Sequence, residues 1–130
     1  MLSNLPKEKR LTIVKILSNI GTDIQYLNNI FIEAAENGNL ETVQHLFEKG
    51  DSSLALIKAA WNGHLDVVQF LVEKGVDVQT QDNSPLFYAV GNGRFEVVEY
   101  LLSKGAILSN LALIYAKRNG QSEMVKFLRK

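Results

Sequence analysis

One pattern of apolar and polar residues recurs four times along the chain. The four segments are NGNLETVQHLFEKG (37–50), NGHLDVVQFLVEKG (62–75), NGRFEVVEYLLSKG (92–105) and the shorter NGQSEMVKFLRK (119–130). Apolar residues at 65, 68, 71 and 72 follow the spacing of one helix face, so each segment predicts a helix of about ten residues. The glycines that close the first three segments, Gly50, Gly75 and Gly105, predict left-handed helix caps.

A second, shorter helix is predicted before each Asn-Gly. Its clearest pieces read IFIEAAENG, ALIKAAWNG, PLFYAVGNG and ALIYAKRNG, with a small residue recurring at Ala34, Ala59, Ala89 and Ala116. Asn-Gly between the two helices predicts a tight turn, since glycine adopts positive φ cheaply. No single helix pair buries its apolar face alone, but stacked pairs bury a continuous one. The pattern therefore predicts an all-α solenoid of about four helix-turn-helix repeats.

The stretch SPLFYAVGNGRFEVVEYLLSKGA (84–106) resembles an ankyrin repeat. That family's motif reads Thr-Pro-Leu-His-x-Ala-Ala, then Gly-His, then Val-x-x-Leu-Leu and Gly-Ala, and AAWNGHLDVVQFLVEKG fits its second half nearly as well. The resemblance implies an ankyrin repeat domain over 29–130, with units at about 29–50, 53–75, 84–105 and 110–130. It also implies a non-catalytic protein–protein interaction module.

The repeats are shorter than the family's usual length of about 33 residues. The Asn-Gly spacings are 25, 30 and 27, and the deficit lies in the connectors. In the family these connectors form β-hairpin fingers that help to grip partners. Only GVDVQTQDNSP is long enough for something similar here, so we expect binding to shift to the helical faces.

The two ends of the array need covering. Residues 1–28 are expected to form N-terminal capping helices. Pro6 suits a first helical turn, an apolar stripe follows, and residues 22–25 predict a capping box for a further helix. The stripe consists of Leu11, Val14, Leu17 and Ile20. At the other end Lys117, Ser122 and Arg129 replace apolar residues of the other units, which predicts a polar C-terminal cap where the fold ends.

An alternative for the N-terminal helix is an adaptor role. LPKEKRLTIVKIL resembles the start of an F-box, a helical module that recruits ubiquitin-ligase scaffolds. The residues that fit this opening are Leu5, Pro6, Glu8, Ile16 and Leu17. The segment is shorter than a full F-box and lacks its later motif, so a simple capping helix is the favoured interpretation.

Composition and charge narrow the function classes. The chain has no cysteine, which fits a reducing, cytoplasmic location. The net charge is +3 over residues 1–20 (4 basic, 1 acidic), −7 over 21–110 (5 basic, 12 acidic) and +4 over 111–130 (5 basic, 1 acidic). The acidic middle argues against nucleic acid, and no apolar run has the length of a membrane-spanning helix.

Candidate catalytic chemistry is sparse. His64 occupies the Gly-His position of the ankyrin motif, which implies packing and hydrogen bonding, and His45 is expected to be partly buried in a structural role. Two isolated histidines without cysteine do not make a zinc set, and the glycines do not form a phosphate-binding loop. We therefore expect no metal, no cofactor and no enzymatic activity.

The resemblance places the binding surface on the first helix of each unit, which lines the concave side in ankyrin arrays. Trp61 is the residue of most interest, because its counterparts Glu36, Gly91 and Arg118 show that the position tolerates charge. Exposed aromatic and arginine side chains are common anchors of interfaces; alternatively, Trp61 shields the core beneath the 50–53 connector. The expected partner-binding residues are Glu33, Glu36, Lys58, Trp61, Asn62, Tyr88, Asn92, Tyr115 and Arg118.

The expected partner is a protein of unknown identity, bound by a chain that is monomeric or weakly self-associating. Nucleic acid and membrane are not expected partners. The shortened, Asn- and Ile-rich repeats are similar to those of stand-alone ankyrin proteins of large DNA viruses and intracellular bacteria. That similarity implies a host-directed effector or inhibitor acting inside the host cell.

Overall fold

The computed structural model describes residues 4–20 and 23–129. Thr22, the first residue of the predicted capping box, lies outside these ranges. Within them the chain forms nine α-helices: α1 (Lys7–Asn19), α2 (Ile24–Asn37), α3 (Leu40–Leu46), α4 (Ser52–Asn62), α5 (Leu65–Glu73), α6 (Thr80–Gly91), α7 (Phe95–Ser103), α8 (Asn110–Arg118) and α9 (Ser122–Leu128).

The helices form two layers. The first helices of the four units, α2, α4, α6 and α8, pack side by side in chain order, and the second helices α3, α5 and α7 form the layer behind them. Phe95 of α7 meets Phe127 of α9 edge-on with ring centroids 5.7 Å apart, which continues the second layer. This is the predicted all-α stack of helix-turn-helix units. Helix α2 also covers residues 24–28, so the predicted further helix and the first helix of unit one are a single element.

The recurring apolar positions form one continuous core. The repeated valines Val43, Val68, Val98 and Val125 and the repeated alanines Ala34, Ala59, Ala89 and Ala116 are all buried. The alanines lie on the first helices, where a small side chain lets neighbouring helices approach closely. The core therefore runs through all the units rather than around one centre.

The Asn-Gly turns confirm the expectation of positive φ. Gly38 and Gly63, which cap α2 and α4, have φ of 77° and ψ of 23° and 25°. Gly75 and Gly105 also adopt left-handed conformations after α5 and α7, with φ of 99°.

The prediction of a left-handed cap at Gly50 is wrong. Gly50 has φ of −131° and ψ of 170°, an extended conformation that any residue adopts. Helix α3 ends in a 3₁₀ turn over Phe47–Lys49, which replaces the usual glycine stop. Glycine is required there for a different reason: a Cβ at this position would overlap the ring of Phe31, which is fully buried.

The connector between units two and three forms a left-handed turn, and residues 4–20 and 23–129 contain no β-strand. Gln81, Asp82 and Asn83 have φ of 50°, 60° and 62°, so the regular part of α6 begins at Ser84. The left-handed conformation costs about 1–2 kcal/mol at Gln81 and less at Asp82 and Asn83, whose short polar side chains tolerate it better.

Asparagine side chains fasten two connectors to the first-helix layer. Asn83 Oδ1 accepts a hydrogen bond from Ile107 N at 2.9 Å, and Asn28 Oδ1 accepts one from Asp51 N at 2.7 Å. Both asparagines lie nine residues before an Asn-Gly asparagine, so they occupy the same repeat position. We call these two hydrogen bonds the asparagine clasps. Each one holds a connector against the first helix that precedes it.

Helix α1 packs against α3. Val14 is fully buried and Leu17 packs on the same core, as the predicted stripe requires. Ile20 is 70% exposed, contrary to its place in the stripe, because the helix ends at Asn19 and Ile20 is its cap residue.

His45 is exposed rather than partly buried. Its counterpart Phe70 packs edge-on against Phe47, with ring centroids 5.7 Å apart. The edge-on partner of Phe70 in unit one is therefore Phe47, on the 3₁₀ turn, and not His45.

The C-terminal end has a mixed surface. Lys117, Ser122 and Arg129 are exposed, as the predicted cap requires. Apolar side chains are exposed there as well: Ile107 is 59%, Leu111 68% and Ile114 48% exposed. The polar substitutions therefore cover only part of this end.

Candidate protein-binding face

The expected binding residues all lie at the first-helix layer, whose exposed surface we call the first-helix face. Glu36 and Arg118 are exposed on α2 and α8. The others are partly buried: Glu33, Lys58, Trp61, Asn62, Tyr88, Asn92 and Tyr115. The structure thus places one set of candidates on each of the four first helices or at its C-terminal end.

Four aromatic side chains form a connected row across α4, α6 and α8. Trp61 stacks on Tyr88 with ring centroids 4.4 Å apart and planes within 3°, and Phe87 stacks on Tyr115 at 4.7 Å and 7°. Tyr88 also meets Tyr115 edge-on at 6.1 Å. We call Trp61, Phe87, Tyr88 and Tyr115 the aromatic row. Each ring is partly exposed, so the row presents rigid apolar surface to solvent.

Charged groups continue this row toward unit one. Lys58 Nζ lies 5.4 Å from the centroid of the Trp61 ring, within the range of a cation–π interaction. The same ammonium lies 3.8 Å from Glu36 Oε2 on α2. Because both side chains are partly solvated, this ion pair is worth at most about 1 kcal/mol and is readily exchanged for another.

An open cleft of about 360 Å³ lies beside the Trp61–Tyr88 stack. Leu54 and Lys58 of α4 form one wall, Ser84 and Tyr88 of α6 form the other, and Asp51 stands at the rim. Leu54 is 38% exposed. Sequence reasoning missed Asp51, Leu54 and Ser84, although Leu54 and Ser84 lie one helical turn before Lys58 and Tyr88, a spacing that brings side chains together.

Hydrogen bonds from each following unit hold the C-terminal ends of the first helices. The carbonyl before each of the first three Asn-Gly pairs accepts from a side chain of the next unit. The three contacts are His64 Nε2 to Glu36 O at 2.9 Å, Arg94 Nε to Trp61 O at 3.0 Å and Asn119 Nδ2 to Gly91 O at 2.9 Å. A carbonyl oxygen only accepts, so His64 carries its proton on Nε2 in this contact.

His64 therefore has the packing and hydrogen-bonding role that the resemblance implies. Its ring also lies against Gly38, where an added Cβ would be 2.6 Å from Nδ1. Arg94 takes the same position one unit later, against Gly63. These side chains hold the main chain of Glu36 and Trp61 in place. Both residues occupy the repeat position whose side chain varies most along the face.

Gly91 makes room for the end of the aromatic row. It occupies the position of Glu36, Trp61 and Arg118, and a Cβ there would overlap the ring of Tyr115. Sequence reasoning identified this position as variable but missed why unit three uses glycine, since the clashing ring belongs to another unit.

Asn62 and Asn92 are tied to their own helices. Asn62 Nδ2 donates to Lys58 O at 3.0 Å, and Asn92 Nδ2 donates to Tyr88 O at 2.7 Å. These bonds satisfy carbonyls at the helix ends. Both side chains flank the aromatic row with the amide nitrogen engaged.

Two absences concern the described residues only. Residues 4–20 and 23–129 contain no group of three or more His, Asp or Glu side chains placed to hold a metal ion. Within the same ranges, no helix combines the length and apolar character needed to cross a bilayer.

Comparison with known families agrees with the architecture. A family model described as ankyrin repeats (3 copies) matches the chain over residues 6–82, 31–111 and 56–130. No curated protein sequence matches the chain. Ankyrin repeats are in general protein–protein interaction modules. Since the matches span almost the whole sequence and the helix pairs stack in the expected order, the chain belongs to the ankyrin-repeat family.

Proposed function

We propose that the chain captures a protein partner on its first-helix face, with Trp61 and Tyr88 as the central anchors. The observation that carries this proposal is the aromatic row, which is partly exposed and already assembled across three units. Rings fixed by stacking lose little side-chain entropy on binding. Tryptophan and tyrosine are also enriched among the residues that dominate interface energies. In this proposal the chain is a rigid, non-catalytic binding module.

The test is affinity capture with matched surface variants. Trp61→Ala/Tyr88→Ala removes the centre of the row. Phe95→Ala/Phe127→Ala is the control, because it removes an aromatic pair of similar size from α7 and α9 in the other layer. We expect the first variant to lose the captured protein by at least about tenfold, since each central anchor contributes about 1–2 kcal/mol or more. Equal retention by both variants would refute the proposal.

In the adaptor alternative, partner capture depends on α1 and not on the first-helix face. Ile16, one of the residues that fit the F-box opening, is 53% exposed on α1, whereas Val14 and Leu17 pack inward. Deleting α1 would uncover α3, so the cleaner test is Ile16→Glu, which changes only the outer surface. Capture of a ubiquitin-ligase scaffold that depends on Ile16 and not on Trp61 would favour the adaptor.

A host-directed effector or inhibitor role and a cytoplasmic location are part of the same proposal; the role rests on the family resemblance and the location on the absence of cysteine. Light scattering on the purified chain tests the expected monomer or weak self-association. Imaging of the tagged chain in cells tests the location.

A further inference from the structure

The first-helix face carries opposite charges at its two ends. Helix α2 contains two acidic residues, Glu33 and Glu36, and no basic ones. Helix α8 contains two basic residues and no acidic ones: Arg118 occupies the face position of Glu36, whereas Lys117 belongs to the exposed C-terminal cap. Between them, α4 contains Lys58 and the regular part of α6 contains no charged residue. The face therefore changes from acidic through aromatic to basic in chain order.

The contacts show that this order is a path across the surface. Glu36 pairs with Lys58 across α2 and α4, and Lys58 lies over Trp61. Trp61 stacks on Tyr88 across α4 and α6, and Tyr88 meets Tyr115 across α6 and α8. Arg118 follows Tyr115 by three residues, nearly one turn of α8. One ligand lying across the four helices would meet every part of the gradient.

From these observations we infer that the partner presents a linear segment of defined polarity. Its basic side chains lie over α2, one bulky apolar side chain enters the cleft beside Trp61 and Tyr88, and its acidic side chains lie over α8. This inference rests on the proposed function and adds to it the chemistry and orientation of the ligand.

The span of the face sets the length of the segment. Packed helices lie about 8–10 Å apart, so α2 and α8 are separated by about 24–30 Å. An extended chain covers about 3.3 Å per residue, which corresponds to roughly eight or nine residues. The cleft of about 360 Å³ lies between α4 and α6. The apolar side chain is therefore expected near the middle of the segment, with like-charged residues grouped at each end.

Lys58 is the one basic residue on the acidic half of the path. Its ammonium lies 3.8 Å from Glu36 Oε2, so it offsets one of the two negative charges of α2 and leaves this end acidic by one charge. Asp51, whose carboxylate caps α4 by accepting from Leu54 N at 3.1 Å, also lines the cleft. A basic ligand group thus approaches Glu33 and Glu36, with the ammonium of Lys58 beside them, at the α2 end, and an acidic group approaches Arg118 at the α8 end.

A displayed library of random nine-residue peptides, panned on the full-length chain, tests the inference. The reversal variant is Glu33→Lys, Glu36→Lys, Lys117→Glu and Arg118→Glu, which keeps the net charge. Its control is Glu96→Lys, Glu99→Lys, Lys104→Glu and Lys126→Glu, which exchanges the same number of charges at residues of the second-helix segments. Thermal melting curves of each variant serve as the control for folding.

We expect peptides enriched on the wild type and on the control to carry basic residues at one end, acidic residues at the other and a bulky apolar residue between. The reversal variant should invert this preference relative to the chain direction of the peptide. Each exposed ion pair changes affinity by up to about fivefold, so the preference should shift by roughly tenfold or more.

Two outcomes would overturn the inference, and they separate it from the proposed function. Enrichment that requires Trp61 and Tyr88 but has no polarity, or a polarity that reversal leaves unchanged, rejects the oriented ligand and keeps the binding face. No enrichment above the Trp61→Ala/Tyr88→Ala variant rejects a linear ligand. The capture experiment alone then decides whether the face binds a protein.

Discussion

Gly50 and Gly75 end equivalent repeat segments. Alanine at either position should destabilise the fold, but for a different physical reason at each. At Gly50 the backbone is ordinary, but a Cβ would overlap the buried ring of Phe31. At Gly75 no atom lies within 4 Å of an added Cβ, but φ is 99°. One substitution therefore tests packing at the first position and backbone conformation at the second.

The expected costs follow from these two mechanisms. Overpacking against a ring that is 0% exposed costs about 1–3 kcal/mol, so Gly50→Ala should lower the free energy of unfolding by that amount. Gly75→Ala should cost about 1 kcal/mol, because the left-handed penalty is partly offset by the lower entropy of the unfolded chain. Gly105→Ala repeats the second case, since Gly105 has the same φ and equally open surroundings.

Asparagine distinguishes the mechanisms, because it tolerates left-handed φ better than alanine but is larger. Gly75→Asn should be more stable than Gly75→Ala, and Gly50→Asn should be no more stable than Gly50→Ala. Phe31→Leu combined with Gly50→Ala should cost less than the sum of the single changes, since removing the ring relieves the overlap.

Urea unfolding followed by far-ultraviolet circular dichroism measures these differences. If asparagine rescues position 50 as well as position 75, Gly50 needs positive φ after all. The extended conformation of Gly50 and its overlap with Phe31 would then not explain why unit one needs glycine.

Three further predictions concern the clasps, a buried hydroxyl and the central tryptophan. Asn28→Ala and Asn83→Ala each remove a hydrogen bond to a connector amide, so urea unfolding should show losses of about 0.5–1 kcal/mol. The loss should be larger for Asn83→Ala, because Asn83 has a φ of 62°, which alanine adopts less readily than asparagine. Equal losses would argue against a backbone penalty at this position. Burial, with a smaller contribution from the charge of Glu73, raises the pKa of Tyr100 above its ordinary value of 10.0. The folded state therefore holds this proton more tightly, and the stabilisation is present below the ordinary pKa and lost as pH rises through the folded pKa. Tyr100→Phe should flatten that alkaline decline in urea titrations. At neutral pH it should leave stability unchanged or higher, because the buried hydroxyl has no hydrogen-bond partner among the described residues; a marked loss at neutral pH would show a missed partner. Trp61→Ala should cost about 1–2 kcal/mol, since it removes the stack on Tyr88, with the helical signal kept; global unfolding would place the ring in the core.

The periodic parts of the fold could be predicted from the sequence because each unit repeats the same local requirement. The buried valines and alanines and the positive φ of the Asn-Gly glycines depend on spacing within one unit, which the sequence displays directly. The stacking of Trp61, Tyr88 and Tyr115 follows from their placement at related positions of neighbouring first helices.

The features that sequence reasoning missed depend on contacts between residues far apart in the chain, either within one unit or between two units. Gly50 looks like a cap until the ring of Phe31 is placed against it, and Gly91 is unexplained until Tyr115 is placed over it. The left-handed turn at 81–83 contains no glycine, so the sequence does not indicate it. It is held by the hydrogen bond between Asn83 and Ile107, which lies in the next connector. Such pairings lie 19 to 24 residues apart in the chain, where periodicity carries no information.

Site-specific photo-crosslinking distinguishes binding on the first-helix face from binding on the second-helix layer. A benzoylphenylalanine residue is placed at Leu54 or Arg118 on first helices, or at Gln44 or Glu99 on second helices, and the chain is irradiated with its captured partner. All four native side chains are exposed, so reactivity is matched. A partner bound on the first-helix face gives covalent adducts at the first-helix positions, strongest at Leu54, and none above background at the other two. Adducts formed mainly through Gln44 or Glu99 would contradict binding on this face.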